Sequence, residues 1–292
     1  MSEKLLVVVH SGSFHADDVG SIAVLRSCFD FEVVRTRDED TINRANYVVD
    51  VGGKYNPELG QFDHHQKNTP EPRLNGIPYA ALGLVWKEFG ARVCGDNEVA
   101  DIVDRLLIQA IDANDNGFEL FESSVDGIRI STISEIIGDM NPVTGEEATV
   151  DFQFNMAVTM FEVFLNRVIA KAKNIVYGRG VVRKAVQNSG DKKIVTLDEH
   201  VPWKETIIKE SPETLYILYE TNEKWRISCV PPEADSFENK KSLPKEWGGL
   251  RDTDLQKITG INDVKFVHKN LFTGGAGSYE GVMKMAKLAI ID

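Results

Sequence analysis

Strand and helix patterns alternate through the first half of this chain. Residues 5–9 form a continuous apolar run rich in β-branched residues, which is typical of a strand buried on both faces, and residues 31–35 and 47–51 are predicted as the second and third strands. Between the first two predicted strands, residues 19–26 place apolar side chains at helical spacing. Because strands and helices that alternate in this way form βαβ units, we predict a parallel sheet with helices on both faces.

Helical patterns follow at residues 79–89, 97–113 and 151–175. From about residue 177 the pattern changes to short strands at 193–197, 215–219, 225–230 and 264–268, followed by a helix near 279–289. We assign no element to residues 125–147. A length of 292 residues suits two domains better than one core. We predict an α/β fold, with an N-terminal parallel-sheet domain at 1–175 and a smaller C-terminal α+β domain at 176–292.

The formal net charge of -12 limits the kinds of partner. Proteins that grip long duplex nucleic acid usually have a basic surface, because neutralisation of phosphates dominates that affinity. An acidic protein can still bind a short phosphorylated substrate where bound cations reverse the local field. No apolar run reaches the roughly 18–20 residues that span a bilayer, and the cysteines form no paired motif. We therefore predict a cytoplasmic protein with no membrane partner.

Acidic residues and histidines gather in four clusters, two of which directly follow predicted strands. The clusters are His10 to Asp18, Asp50, Asp63-His64-His65, and Asp112 to Asp115. Ligands collect at the carboxyl ends of parallel strands, which favours a shared site. Taken singly, most of these aspartates have simpler explanations as helix caps or turn residues. The tandem histidines are a sharper signal, because burying them beside an acid is costly without a role.

Together the four clusters predict a metal centre. Four of the six histidines lie between residues 10 and 65, and acids flank them. Mixed imidazole and carboxylate ligands suit Mn, Fe, Co, Zn or Mg better than soft copper sites. Two divalent ions about 3.5–4 Å apart need several protein ligands and a shared carboxylate, and the clusters supply enough.

The string Asp63-His64-His65 resembles the signature of the DHH phosphoesterase superfamily. The closer resemblance is to one of its branches, the melanocyte-proliferating-gene family of metal-dependent hydrolases. The resembling stretches are His10 to Asp18, Arg35 to Asp38, Val49 to Gly53, Phe62 to Gln66, Ile111 to Gly117, Trp225 to Ile227, Gly249 to Asp252 and Phe266 to Gly275. They follow one another over nearly the whole chain, so the first domain is expected to be of the DHH type and the second to bind substrate.

The resemblance implies two divalent ions, with Mn favoured and Mg, Co, Fe or Zn as alternatives. The implied metal ligands are His10, His15, Asp17, Asp50, Asp63, His64 and either Asp112 or Asp115. Within this set Asp50 would bridge the two ions. Between the two last aspartates, Asp112 is slightly favoured over Asp115. His15 stands where the superfamily more often has an acid, which leaves the identity of the metal open.

The tandem histidines are also candidate catalytic residues. One of them can bind metal while the other contacts the leaving oxygen or a ligand carboxylate, which makes Asp63, His64 and His65 the candidate acid–base group. Charge on the phosphoryl oxygens requires positive donors, for which Arg251 and His268 are candidates.

Substrate-binding candidates lie outside these clusters. Arg37 is a candidate phosphate ligand, with a solvated surface charge as the alternative. The segment 273–278 resembles the glycine-rich segment of the superfamily's substrate domain. Because it precedes a helix, we expect a loop whose free backbone N–H groups, at Gly274, Gly275 and Gly277, bind a phosphate; a plain turn is the alternative.

The resemblance implies phosphodiester hydrolysis by a two-metal-ion phosphoesterase. We expect a 3′–5′ exonuclease or phosphodiesterase that acts on short single-stranded RNA or DNA. One alternative is a small-molecule phosphohydrolase acting on a nucleotide or pyrophosphate. Another is a non-catalytic regulatory protein that binds metal. A homodimer is compatible with the sequence.

Overall fold

The computed structural model describes residues 4–67, 70–146, 149–222 and 224–291. The chain divides into two compact units, residues 1–173 and residues 174–292. This division lies two residues before the expected domain boundary. It falls inside a long helix rather than in a linker.

The first unit contains a five-stranded sheet that is mainly parallel, as the alternating pattern predicts. Its strands are β1 (Leu5–Val9), β2 (Phe31–Arg35), β3 (Tyr47–Val49), β4 (Tyr55–Asn56) and β5 (Gln61–Phe62), in the order β2-β1-β3-β5-β4. Only the β4–β5 pair is antiparallel among these strands. Val7, Val8 and Val9 of β1 are fully buried, because the strand lies inside the sheet with both faces covered.

Helix α1 (Ala16–Arg26) is buried over residues 16–25. A Cβ atom on Gly20 would lie 2.8 Å from the ring of Phe161 and 2.9 Å from the side chain of Leu82, so neighbouring helices approach α1 closely there. The other helices of this unit are α2 (Glu39–Arg44), α3 (Ala81–Cys94), α4 (Asn97–Val103), α5 (Gln109–Asp115), α6 (Ile133–Gly138) and the first part of α7 (Val150–Asn188). Helix α6 lies in the segment 125–147, to which the sequence pattern assigns no element.

Two of these helices differ from the expected ones. The predicted helix at 97–113 contains a π turn, Asp104–Ile108, in which the Gln109 N–H donates to the carbonyl of Asp104. The predicted end of the long helix near residue 175 was wrong, because α7 continues to Asn188. Its apolar side continues too, since Val182 is buried in a cluster with Val195 and Leu197.

The second unit is α+β. Its sheet contains β6 (Ile194–Thr196), β7 (Tyr216–Thr221), β8 (Lys224–Cys229), β9 (Val264–Val267) and β10 (Thr273–Ala276), in the order β6-β7-β8-β10-β9. Among the described strands of this second sheet, only the β6–β7 pair is parallel. The helices are α8 (Lys204–Glu210), α9 (Asp252–Thr259) and α10 (Tyr279–Ile291). Leu255 of α9 and Met285 of α10 pack with Tyr216 and Ile227 in one core.

The glycine segment corrects the expectation of a phosphate-binding loop. Gly274 and Gly275 lie in β10, an inner strand that pairs with β8 and β9. Position 274 is closely packed, because a Cβ atom would lie 3.0 Å from the carbonyl oxygen of Phe266 and 3.1 Å from the side chain of Met285. The Gly277 N–H donates to the carbonyl of Asp263 at 2.8 Å. The prediction of free N–H donors in a loop was therefore wrong.

Within the described residues, no helix is both long and apolar enough to cross a membrane.

Candidate metal centre

The first loop of the site follows β1 and leads into α1. His10 is 4% exposed and Phe14 is fully buried, so the loop turns inward at both positions. The side chain of Asn141 holds this turn: its Oδ1 accepts the N–H of Phe14 and its Nδ2 donates to the carbonyl of Phe14, both at 2.9 Å. Nη2 of Arg35 donates to the carbonyl of Gly12 at 2.7 Å. The loop is therefore held from two sides before it reaches His15.

Asp17 and Asp18 lie in the first turn of α1, and both are fully buried. Asp18 organises the helix start, because its Oδ1 accepts the N–H groups of His15 at 2.9 Å and of Val19 at 2.6 Å. Among the residues that the structure describes, neither carboxylate oxygen of Asp17 has a hydrogen-bond partner. Burial raises the pKa of Asp17 well above its usual value, and the nearby carboxylates raise it further. A buried, unpaired carboxylate of this kind is a typical ligand for a cation.

Asp50 follows β3 in a left-handed backbone conformation, with φ of 53°. This conformation is rare for a residue other than glycine and costs about 1–3 kcal/mol. Its Oδ2 lies 3.3 Å from Nε2 of His10, and its Oδ1 lies 3.4 Å from Nε2 of His64. Burial acts to raise the pKa of Asp50, but the two histidines outweigh it and hold this pKa well below its usual value.

His10 and His64 are nearly buried among carboxylates. Nε2 of His10 lies 3.0 Å from Oδ2 of Asp18, and Nε2 of His64 lies 3.1 Å from Oδ2 of Asp115. Burial lowers the pKa of each imidazole, but their carboxylate partners outweigh it and raise both values to about 10. Without metal, these imidazoles are therefore protonated at neutral pH.

Asp63 fixes the direction of the second histidine. Its Oδ2 accepts the N–H of Gly53 at 2.6 Å, and its Oδ1 accepts the N–H of His65 at 3.0 Å. The same Oδ1 lies 2.8 Å from Nδ1 of His65. The side chain of His65 is 64% exposed, so its ring is accessible to an external group.

Potential ligand atoms form two groups of three. One group is Asp50, His64 and His65; the other is His15, Asp17 and Asp115; within each group the ligand atoms lie within 4.8 Å of one another. The 3.1 Å contact between His64 and Asp115 joins the groups. Mixed imidazole and carboxylate donors fit a divalent ion such as Mn²⁺, and the unpaired oxygens of Asp17 provide ligands for one.

Asp112 has other partners and belongs to neither group. Its Oδ1 accepts the N–H of Gly83 at 2.9 Å, and its Oδ2 lies 2.7 Å from Nη1 of Arg73. The geometry thus favours Asp115 over Asp112 as a ligand, in contrast to the slight preference from the resemblance. The sequence could not separate the two aspartates, because the spacing of residues in a short helix does not show that Asp112 is already paired with Arg73.

The remaining candidate residues do not belong to the two ligand groups. Arg37 is exposed after β2. In the second unit, Arg251 is exposed and its guanidinium lies 5.8 Å from the centre of the Phe266 ring. Nδ1 of His268 accepts the N–H of Asn270 at 3.1 Å. Arg226 lies 4.6 Å from the centre of the same Phe266 ring, which places two arginines beside one aromatic side chain.

Sequence reasoning missed Arg35, Arg73 and Asn141 as supports of the site. Each contacts the ligand-bearing segments through backbone carbonyls, backbone N–H groups or a buried carboxylate rather than through a metal-ligand motif. In the sequence, Arg35 is marked only by ending the predicted strand 31–35 and by beginning one of the resembling stretches.

Comparison with known proteins places the chain among relatives of similar length. The family model MYG1_exonuc, described as "Uncharacterised protein family (UPF0160)", matches residues 6–290. "MYG1 exonuclease" of Mus musculus is 31% identical over 319 residues, which cover 96% of this chain and 83% of the relative. "MYG1 protein" of Dictyostelium discoideum is 31% identical over 315 residues, covering 97% and 95%. A solved structure, "pGpG-specific phosphodiesterase - PggH from Vibrio cholrae", aligns over 99% of this chain and 98% of its own with a TM-score of 0.34 and 12% identity.

Proposed function

This chain belongs to the MYG1_exonuc family, and on that premise we propose that it is a metal-dependent phosphodiester hydrolase. The observation that carries the proposal is the pair of ligand groups joined by His64 and Asp115. Two adjacent sets of imidazole and carboxylate donors match what a two-ion site needs. The name of the mouse relative, an exonuclease, supports phosphodiester bonds as the target.

Each group of residues would hold one ion. Asp50, His64 and His65 would hold the first, with His10 packed against Asp50. His15, Asp17 and Asp115 would hold the second. When bound, such ions supply a water nucleophile at neutral pH and neutralise charge that develops on phosphoryl oxygens.

The chain's own residues would orient the reaction. Asp63 holds Nδ1 of His65 and thereby fixes the direction of the exposed ring, which would bind the first ion. Before metal binds, protonated His10 and His64 offset the negative charge of the surrounding carboxylates, and His64 would lose its proton to serve as a ligand. Arg251, His268 and Arg37 are our candidates to bind substrate phosphates.

We infer a short single-stranded nucleic acid as the substrate, cleaved from its 3′ end. The name of the mouse relative favours an exonuclease, and the net charge of -12 argues against a long duplex. The same acidity is compatible with a small nucleotide or pyrophosphate, so the test has to separate the two.

The test measures metal content and hydrolysis products together. Purified protein is stripped of metal, reloaded with Mn²⁺ and incubated with oligoribonucleotides labelled at either end, with a cyclic dinucleotide or with pyrophosphate. We expect Mn²⁺-dependent release of mononucleotides from the 3′ end of short single strands. If the protein hydrolysed pyrophosphate but no oligonucleotide, its function would be that of a small-molecule phosphohydrolase rather than a nuclease.

Two variants test the site itself. We expect Asp50→Ala and His64→Ala to abolish hydrolysis, whereas Asp30→Asn, at an exposed residue that contacts Lys4, should leave it unchanged. Wild-type hydrolysis by both site variants after metal exchange would overturn the proposal.

A further inference from the structure

Arg73 lies at the centre of a buried ionic network in the first unit. Its side chain is 7% exposed. Nη2 and Nε donate to the two carboxylate oxygens of Asp104 at 2.7 and 3.1 Å, and Nη1 lies 2.7 Å from Oδ2 of Asp112. The guanidinium also stacks on Tyr79, 4.1 Å from the ring centre. One planar cation thus joins two carboxylates of the helical segment formed by α4, the π turn and α5.

The π turn explains why both carboxylates face Arg73. In a regular α-helix each residue turns by about 100°, so residues 104 and 112 would point about 80° apart. The turn from Asp104 to Ile108 is wider, since the Gln109 N–H donates to the carbonyl of Asp104. One wide turn and one ordinary turn together take up about eight residues, which brings Asp112 into line with Asp104.

The alignment of Asp112 with Asp104 determines the direction in which α5 presents the carboxylate of Asp115. Asp115 follows Asp112 on the same short helix. Asp112 is held on its other side as well, because its Oδ1 accepts the N–H of Gly83 in the first turn of α3. A Cβ atom on Gly83 would lie 1.8 Å from Oδ2 of Asp112, so helix α3 approaches this carboxylate as closely as it can. With Asp112 held on two sides, α5 has little freedom to rotate about its axis.

We propose that Arg73 is a positioning residue: by bridging Asp104 and Asp112 across the π turn, it sets the rotation of α5 that directs Asp115 to His64 and the second ligand group. This inference rests on the proposed metal centre. A buried ion pair is by itself weak evidence for stability, and the inference gives this one a specific positioning role.

The test is a double-mutant cycle read by calorimetric titration of Mn²⁺ into metal-free protein. The variants are Arg73→Lys, Asp115→Asn and the double variant, with Arg183→Lys as the matched control at an arginine that pairs with Glu210. Lysine keeps the charge of Arg73 but cannot bind both carboxylates with a planar fork. We expect Arg73→Lys to weaken one of the two Mn²⁺ affinities about 10- to 100-fold, as changes to groups that orient metal ligands do. Arg183→Lys should leave both affinities unchanged.

The double variant separates positioning from general support of the fold. If Arg73 acts through Asp115, Arg73→Lys has no further effect in the Asp115→Asn background. The inference would be overturned if the losses of Mn²⁺ affinity in the two single variants multiplied in the double variant. It would also be overturned if Arg73→Lys alone left the affinity unchanged. Should Arg73→Lys fail to fold by circular dichroism, Asp112→Asn takes its place, since asparagine can still accept the N–H of Gly83. A wild-type protein that binds no Mn²⁺ would instead refute the proposed function and, with it, this inference.

Discussion

Nε2 of His64 lies 3.1 Å from Oδ2 of Asp115, and this contact joins the two ligand groups. His64 lies two residues after β5, whereas Asp115 ends α5, so the contact links segments that are far apart in the sequence. His64 also lies 3.4 Å from Asp50. A single imidazole therefore faces carboxylates of both groups, and a change at His64 should affect both ions.

The first prediction concerns the two histidines of the tandem pair. His64→Gln should weaken the binding of both Mn²⁺ ions, because its carboxylate neighbours belong to both groups. His65→Gln should weaken one ion and lower turnover, since His65 is exposed and held by Asp63. Calorimetry with Mn²⁺, combined with steady-state hydrolysis, distinguishes the two. Loss of only one ion in His64→Gln would show that the groups are independent.

The second prediction is a pH dependence of stability in the metal-free protein. The pKa values of His10 and His64 are raised to about 10 in the folded state, against 6.5 for a free imidazole. Each raised pKa contributes stability that is fully present below pH 6.5 and is lost as the pH rises through 10. The free energy of unfolding in urea should therefore fall between about pH 6.5 and pH 10.

Metal should reverse this trend, because the ions need neutral imidazoles and protons compete with them. With saturating Mn²⁺ the stabilisation should grow with pH, and calorimetry in buffers of different ionisation enthalpy should show proton release. His10→Gln and His64→Gln should each flatten the metal-free slope. If the double variant His10→Gln/His64→Gln kept the wild-type dependence of unfolding free energy on pH, other groups would be responsible for it.

Much of the first unit follows from local sequence pattern. The apolar run at 5–9 becomes β1 with the predicted bounds, because a strand with both faces buried needs only continuous apolar residues. The prediction of a phosphate-binding loop at residues 273–278 was wrong for a physical reason. Glycines that permit close packing of β10 against Met285 look the same in sequence as glycines that free a loop.

The candidate site was predictable in its residue types but not in its pairing. The sequence clusters contain every member of the two ligand groups. The choice between Asp112 and Asp115 depends on Arg73, which lies in a loop between β5 and α3. The π turn that aligns Asp104 with Asp112 also leaves no pattern in the apolar spacing. Both are tertiary features, so periodicity alone does not reveal them.

The third prediction contrasts two glycines of helix α7. A Cβ atom on Gly178 would lie 2.8 Å from the carbonyl oxygen of Pro202, whereas nothing lies within 4 Å of one on Gly180. Gly180→Ala should stabilise the protein by about 0.5–1 kcal/mol, because alanine loses less conformational entropy within a helix. Gly178→Ala should destabilise it. Urea unfolding measures both, and equal effects would contradict the close approach at Pro202.

The fourth prediction tests the support of the first loop by Asn141. In Asn141→Ala both backbone groups of the buried Phe14 lose their partner, which costs about 1–3 kcal/mol for each group left unsatisfied. Because Phe14 directly precedes His15, the second ligand group should also lose Mn²⁺ affinity, by roughly 10- to 100-fold.

Two further variants separate this loop effect from a general loss of stability. Asn141→Asp keeps the acceptor for the Phe14 N–H but sets a carboxylate against the Phe14 carbonyl, so it should bind Mn²⁺ less tightly than the wild type. Asn155→Ala removes an exposed asparagine that contacts Arg26, and it should change stability by no more than about 0.5 kcal/mol and leave Mn²⁺ binding intact. Urea unfolding and Mn²⁺ titration are measured on all three proteins. If Asn141→Ala lost stability yet bound both ions like the wild type, Asn141 would support the fold without shaping the metal centre, because the ligand loop would then hold its conformation unaided.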